Sequence, residues 1–167
     1  PYLHQLEFQT GSGELPRRFV HADTKISNVL FDVQSPRAKA VIDLDTVMIS
    51  SVVFDFGDMV RSVCNPLGEL ANPKQVNVHM GRFQAVTSGF LSVMDRELTR
   101  AERLALAPAC IAITATLGMR FLTDYLAGDL YFKVKSPEDN FQRAAVQLAL
   151  AVSMEKERRK MDRILRV

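Results

Sequence analysis

Apolar positions change their spacing near residue 50, and that change divides the chain. Residues 1–16 carry Gly11-Ser12-Gly13 and Pro16, so they read as a linker or helix remnant feeding a loop. Phe19-Val20 is a short apolar approach and Val29-Leu30-Phe31 a short strand. Gln34-Ser35-Pro36-Arg37 is turn chemistry, and Lys39 to Leu44 reads as another strand, apolar until Asp43. Two strands joined by a polar turn predict a hairpin. Beyond residue 50 the spacing is helical. Asp55 can cap a helix carrying Phe56, Met59, Val60 and Val63, stopped by Asn65-Pro66. Asn72 or Pro73 opens a second run to about Asp95. Thr99 and Glu102 form a capping box for a third, reaching Leu126 and closed by Gly128. Ser136-Pro137-Glu138-Asp139 opens a fourth, with Phe141, Ala145, Leu148 and Val152 at helical spacing. There is no internal repeat. The pattern predicts a mainly α (α+β) fold, a helical bundle with a small β-hairpin laid on it.

Composition narrows this only slightly. A chain of 167 residues favours one domain, large enough for a core without staples. Hydrophobic content of 47% and charged content of 24% are those of an ordinary globular protein. A net charge of +2 argues for neither nucleic acid nor membrane as a partner. Arg158, Arg159, Lys160, Arg163 and Arg166 alternate with Glu155, Glu157 and Asp162, the mark of a solvated helix face. Cys64 and Cys110 lie in apolar helical surroundings, where Cys acts as a small hydrophobe. No disulfide framework is implied, and a reducing, cytoplasmic setting is expected. No stretch offers the ~18 uninterrupted apolar residues of a membrane span. The start, Pro1-Tyr2-Leu3-His4, has neither an initiator Met nor a signal pattern, so the chain reads as cut from something longer.

The chemistry concentrates in His21-Ala22-Asp23-Thr24-Lys25-Ile26-Ser27-Asn28 and in Asp43, fifteen residues on. An Asp, an Asn five positions later and an acid at the end of the next apolar strand are the parts of a phosphoryl-transfer loop. A hydroxyl is a poor nucleophile at neutral pH, and a carboxylate such as Asp23 can orient it and accept its proton. Asn28 and Asp43 offer the oxygen ligands that Mg²⁺ prefers. Lys25 can neutralise charge on the transferring group. His21 reads as a brace of the loop. Asp45 shares a strand face with Asp43 by alternation, so it is a candidate metal or substrate ligand, or a structural acid. Asp55-Phe56-Gly57 spells the protein-kinase magnesium tripeptide, but it opens a helix and follows a polar break. Asp55 is therefore assigned to helix capping and loop bracing, with Asp58 and Arg61 as a structural acid–base set.

These residues resemble the aminoglycoside phosphotransferase and choline kinase superfamily, whose signature is His-x-Asp, Asn five after the Asp, then Ile-Asp-x-Asp/Glu. A second block, Leu117-Gly118-Met119-Arg120-Phe121-Leu122-Thr123-Asp124-Tyr125-Leu126-Ala127-Gly128-Asp129-Leu130-Tyr131-Phe132-Lys133, is similar to the N-acetylhexosamine 1-kinases. The resemblance runs from about residue 14 to the end. It implies a protein-kinase-like C-lobe over 17–167, with catalytic loop 21–28, metal strand 39–45 and helical bundle 55–167. It implies ATP, Mg²⁺ and transfer to the anomeric hydroxyl of an N-acetylhexosamine. It makes Asp23 the base, Asn28 and Asp43 the metal ligands, and Arg120 and Tyr131 the sugar contacts. Two departures stand out. Ile49-Ser50-Ser51 replaces a Pro-Gly turn beside the site. No Gly-rich loop or strand Lys precedes residue 21, so a nucleotide-gripping N-lobe, of about 150 residues by usual domain size, is expected as a partner. A C-lobe alone would turn over little and could self-associate through the uncovered face.

Two other readings fit parts of the chain. Asp43-Leu44-Asp45-Thr46-Val47 matches the nucleophile strand of haloacid-dehalogenase-type phosphatases, with Asp43 as nucleophile and Asp45 as acid/base. That fold needs strands alternating with helices downstream, where 72–167 read as helical. A non-catalytic sugar- or nucleotide-binding fragment is the non-enzyme alternative.

Overall fold

The computed structural model describes residues 1–166. Five helices form a bundle, and two antiparallel strand pairs lie at one end of the chain's path through it. Helix α1 spans Tyr2–Gly11, α2 Val52–Val63, α3 Met80–Met94, α4 Arg100–Leu126 and α5 Asp139–Leu165. The strands are β1 Arg18–Val20, β2 Val29–Phe31, β3 Ala38–Val41 and β4 Met48–Ser50. This is the architecture of a kinase-like C-lobe with a small hairpin.

Helix α4 is the axis, packed by α5, α2 and α1, while α3 closes on α2 and α5. The core is built from Val53, Phe56, Val60 and Cys64 of α2, Phe83 of α3, Leu106 and Cys110 of α4, and Val146, Leu150 and Met154 of α5. Burying each larger side chain contributes about 1.5–3 kcal/mol. Phe56 meets Phe83 edge-on at 6.3 Å and Phe90 at 4.9 Å between ring centroids. By length and mean hydropathy α4 could cross a membrane, but 56% of its most apolar window is buried inside the molecule. Its apolarity is accounted for by its place at the centre of the bundle. Within the first sixteen residues Tyr2–Gly11 form helix α1, and Leu6 of that helix and Leu15 beyond it enter the core.

Helix boundaries follow their caps. Thr99 and Glu102 make both halves of the capping box. The run opened by Asn72 is instead one 3₁₀ turn, Pro73–Gln75, capped by Asn72; α3 starts at Met80, where Nδ1 of His79 accepts the Arg82 N–H. The fourth run begins at Asp139, not Ser136. The Asp139 carboxylate accepts the N–H groups of Lys135 and Ser136, so the acid closes the entry turn. Asp55 does not cap α2. Ser51 holds the N-cap position, and Asp55 lies in the first turn with its carboxylate turned to another segment.

The hairpin pairs β2 with β3, Val29 opposite Val41 and Leu30 opposite Ala40. The strand expected to run from Lys39 to Leu44 stops at Val41. Asp43 takes a left-handed conformation, φ 67° and ψ 54°, and Leu44–Thr46 form a 3₁₀ turn. The alternation that put Asp45 on the face of Asp43 therefore does not exist. A second pair, β1 with β4, was not foreseen; Phe19 faces Ile49 there. From Val52 to Arg166 the described residues form no strand, so the α/β alternation of a haloacid-dehalogenase phosphatase is missing.

Candidate active site

The loop after β1 is held from three sides. One oxygen of Asp55 accepts the His21 N–H and the other the Ala22 N–H, each at 2.8 Å. That fork holds Ala22 at φ 63°, an uncommon value for a residue with a Cβ. Burial pushes the Asp55 carboxyl up, although the two N–H bonds oppose it. The Thr24 hydroxyl donates to the Asp55 carbonyl at 2.7 Å, and the Ile26 N–H reaches Ser62 Oγ at 2.7 Å. On the far side, Thr46 Oγ1 donates to the His21 carbonyl at 2.7 Å. His21 Nδ1 accepts the Asp23 N–H at 3.3 Å while Nε2 lies 3.1 Å from the Ile42 carbonyl. The Nε2–H tautomer satisfies both contacts, so His21 clamps the loop with its ring. Asp58 and Arg61 form a 2.6 Å ion pair one helical turn further along α2.

Asp23 sits in the middle of this frame. Its Oδ2 accepts from Lys25 Nζ at 2.6 Å and from Asn28 Nδ2 at 2.9 Å. The same Asn28 amide donates to the Asp23 carbonyl at 2.9 Å. Oδ1 takes part in none of these bonds and is left for another donor. Burial would raise the Asp23 carboxyl, but the bonds from Lys25 and Asn28 and the charges of Lys25 and Arg61 hold it below the usual carboxylate range. The Lys25 ammonium is held above its usual range, first by its bond to Asp23. Lys25 also lies 3.7 Å from Asp43 Oδ2, so a positive charge sits between two carboxylates.

Asp23 and Lys25 open onto a cavity of about 810 Å³ that is also lined by Arg120, Tyr131, Phe132 and Arg143. Asp55, Asp58 and Arg61 of α2 line it as well. The Arg120 guanidinium stands 5.5 Å from the Tyr131 ring centroid and 5.4 Å from that of Phe132. Arg143 of α5, which sequence reasoning missed, covers the Phe121 ring at 5.6 Å. The sequence offered only a faint signal, Arg143 in register with the polar Asn140 and Gln147 at helical spacing. Thr46 and Ser62 were missed as well, since a single hydroxyl in a turn or on a helix has no pattern.

Asn28 and Asp43 are not in the cavity lining; Asn28 adjoins it through its bond to Asp23 and Asp43 through its 3.7 Å approach to Lys25. Asp45 is exposed in the Leu44–Thr46 turn and does not line the cavity. Among the described residues no group of three or more His, Cys, Asp or Glu side chains gathers to hold a metal ion. A smaller oxygen set is enough for Mg²⁺, which keeps several waters and takes one or two protein ligands. Asn28 spends its amide N–H₂ on Asp23, which leaves Oδ1 as a ligand, and the Asp43 carboxylate is half exposed beside a cation. The donor set therefore fits that ion.

A helical lobe whose Asp–Asn loop opens onto a cavity is an arrangement suited to phosphoryl transfer. Residues 3–78, a little under half of the chain, match the model of the phosphotransferase enzyme family. The matched segment holds His21 through Asn28, Asp43, Asp45 and Asp55 through Arg61, and ends before Arg120 and Tyr131.

Proposed function

We propose that this chain is the acceptor-binding lobe of an ATP- and Mg²⁺-dependent kinase that phosphorylates a small-molecule hydroxyl, the anomeric hydroxyl of an N-acetylhexosamine. The observation that carries the proposal is the shared cavity. Asp23 and the Arg120–Tyr131 pair are about a hundred residues apart in sequence, yet they face one space of a size suited to a sugar.

Asp23 Oδ1 accepts the hydrogen bond of the incoming hydroxyl and receives its proton as transfer proceeds. A carboxylate held below its usual range is a weak base, so its main contribution is orientation, which suits a loose phosphoryl-transfer transition state. Lys25, tied to Asp23, offers positive charge to the transferring group. Asn28 Oδ1 and Asp43 would hold Mg²⁺, which would neutralise the nucleotide phosphates. Asp45 is left out of this set because it stands exposed in the Leu44–Thr46 turn, while contacts through Lys25 and Asp23 tie Asn28 and Asp43 together. Arg120 and Tyr131 supply a cationic edge and a flat ring against which a sugar can lie. A second, nucleotide-gripping lobe would cover the apolar face made by Phe19, Met48 and Ile49, each half exposed or more.

The test is transfer from ATP to a panel of amino sugars and alcohols by the protein carrying both lobes, with Mg²⁺ present or chelated. Asp23→Asn is expected to lower kcat by about 10²–10⁴ with the fold intact. Full activity in that variant would sink the assignment. Because Asp23 ionises below the usual range, the rate should not fall through this group between pH 8 and pH 5.

A further inference from the structure

The wall that carries Arg120 and Tyr131 is packed through Phe132, whose ring centroid lies 4.5 Å from that of buried Phe121, while its neighbours stay open to solvent. Tyr131 is 73% exposed and Leu130 82% exposed. Asp139 ties the α5 end of the segment between α4 and α5, and a second buried carboxylate ties the end beside Arg120. Asp124, in the last turn of α4, accepts the Tyr131 N–H at 2.8 Å and the Phe132 N–H at 2.9 Å. Asn140 Nδ2, from the first turn of α5, donates to the same carboxylate at 2.9 Å and to Asp129 at 2.8 Å. Asn140 Oδ1 in turn lies 3.2 Å from Arg143 Nη1, which also reaches the Lys133 carbonyl at 3.0 Å. The Asp124 main-chain carbonyl accepts the Asp129 N–H at 2.9 Å, and Asp129 itself is held at φ 57°. Two helix ends and the loop between them are thus sewn together at Asp124.

We infer that Asp124 is the positioning residue of the acceptor wall: its carboxylate fixes the Tyr131–Phe132 backbone against Arg120 and so sets how tightly the acceptor is held. This rests on the cleft being the acceptor site, as proposed above. Asp124 faces the loop backbone and Asn140 rather than the cavity, so it touches no substrate and acts through Tyr131 and Phe132. A carboxylate is needed because several donors converge on it. An amide oxygen accepts fewer, and its N–H₂ would face an N–H.

The experiment compares the wild-type enzyme, carrying both lobes, with Asp124→Asn, Asp124→Glu and Asn140→Ala. Amide hydrogen exchange is read at Tyr131 and Phe132 and, as a reference, in α2; acceptor and ATP kinetics are read in parallel. In Asp124→Asn, exchange at Tyr131 and Phe132 should quicken about tenfold or more while α2 keeps its protection. Acceptor KM should rise about tenfold, with kcat and the KM for ATP within about twofold. Asp124→Glu should recover part of both effects, and Asn140→Ala, which keeps the carboxylate, should show a smaller change in the same direction. Unchanged exchange at the two amides overturns the inference, as does quickening spread evenly over the molecule or a loss in kcat alone. A wild-type enzyme that transfers no phosphoryl group would defeat the functional proposal, while the exchange data would still decide whether Asp124 holds the loop.

Discussion

Asp55 shows how one side chain can organise a loop that it does not belong to. Its two oxygens satisfy consecutive N–H groups in a segment held at positive φ, and its own main-chain carbonyl takes the Thr24 hydroxyl. Asp55→Ala would leave the His21 and Ala22 N–H groups without partners in a half-buried place. The expected loss is about 2–4 kcal/mol in urea unfolding, with phosphotransfer reduced as Asp23 loses its frame. A variant as stable and as active as wild type would show that water replaces the fork. The sequence displayed Asp55 inside a tempting tripeptide, and the spacing from Asn28 was enough to set that aside. Its bracing role was legible, but the cap was not, because a side chain at the start of a helix can turn either to its own N–H groups or to a neighbour's. Asp45 failed for a related reason. Alternation is a safe guide only within a strand, and the left-handed residue at Asp43 ends the strand's regularity just before it.

Among the elements, α2 and α4 cross most closely at Gly57. A Cβ there would stand 2.8 Å from the Ala109 carbonyl oxygen and 3.0 Å from its carbon, both backbone atoms that cannot swing aside. Gly57→Ala should therefore destabilise by about 1–3 kcal/mol despite the better helix propensity of Ala. For a chain of this size that corresponds to a fall in Tm of roughly 3–10 °C. Gly89 of α3 is the control, since a Cβ there meets nothing within 4 Å. Gly89→Ala should be neutral or stabilising by up to about 1 kcal/mol. Equal shifts in the two variants would refute the close-crossing account. Long elements were the readable ones: the capping box and the apolar spacing of α4 and α5 repeat over many turns. The β1–β4 pair was not readable, because three-residue strands are too short to show a period and Ser50 looked like a break.

At the scale of the whole molecule, the lobe was legible but the cleft was not. Periodicity could announce helices, and a loop motif could announce phosphoryl transfer. Nothing in either could say that Arg143 would face Asp23 and Lys25 across one space, because that depends on how α5 lies on α4. The same packing makes the core responsive to alkali. Cys64 and Cys110 are fully buried where α2 and α4 meet. Burial pushes the Cys64 thiol up to about 12 from an ordinary 9.0, and Cys110 is raised as well, first by burial. In the unfolded chain both thiols ionise near their ordinary value, whereas in the folded chain they stay protonated. Stability from this source is complete below pH 9 and is lost progressively as pH rises towards 12, by up to about 1.4 kcal/mol per pH unit for each thiol. Urea midpoints at pH 7 and pH 10.5 should therefore separate more in the wild type than in Cys64→Ala. The variant will start lower at pH 7, by about 1 kcal/mol for the atom removed, so the slope rather than the absolute midpoint carries the answer. Parallel slopes would mean that the thiol ionises in place, and that the interface between α2 and α4 admits water.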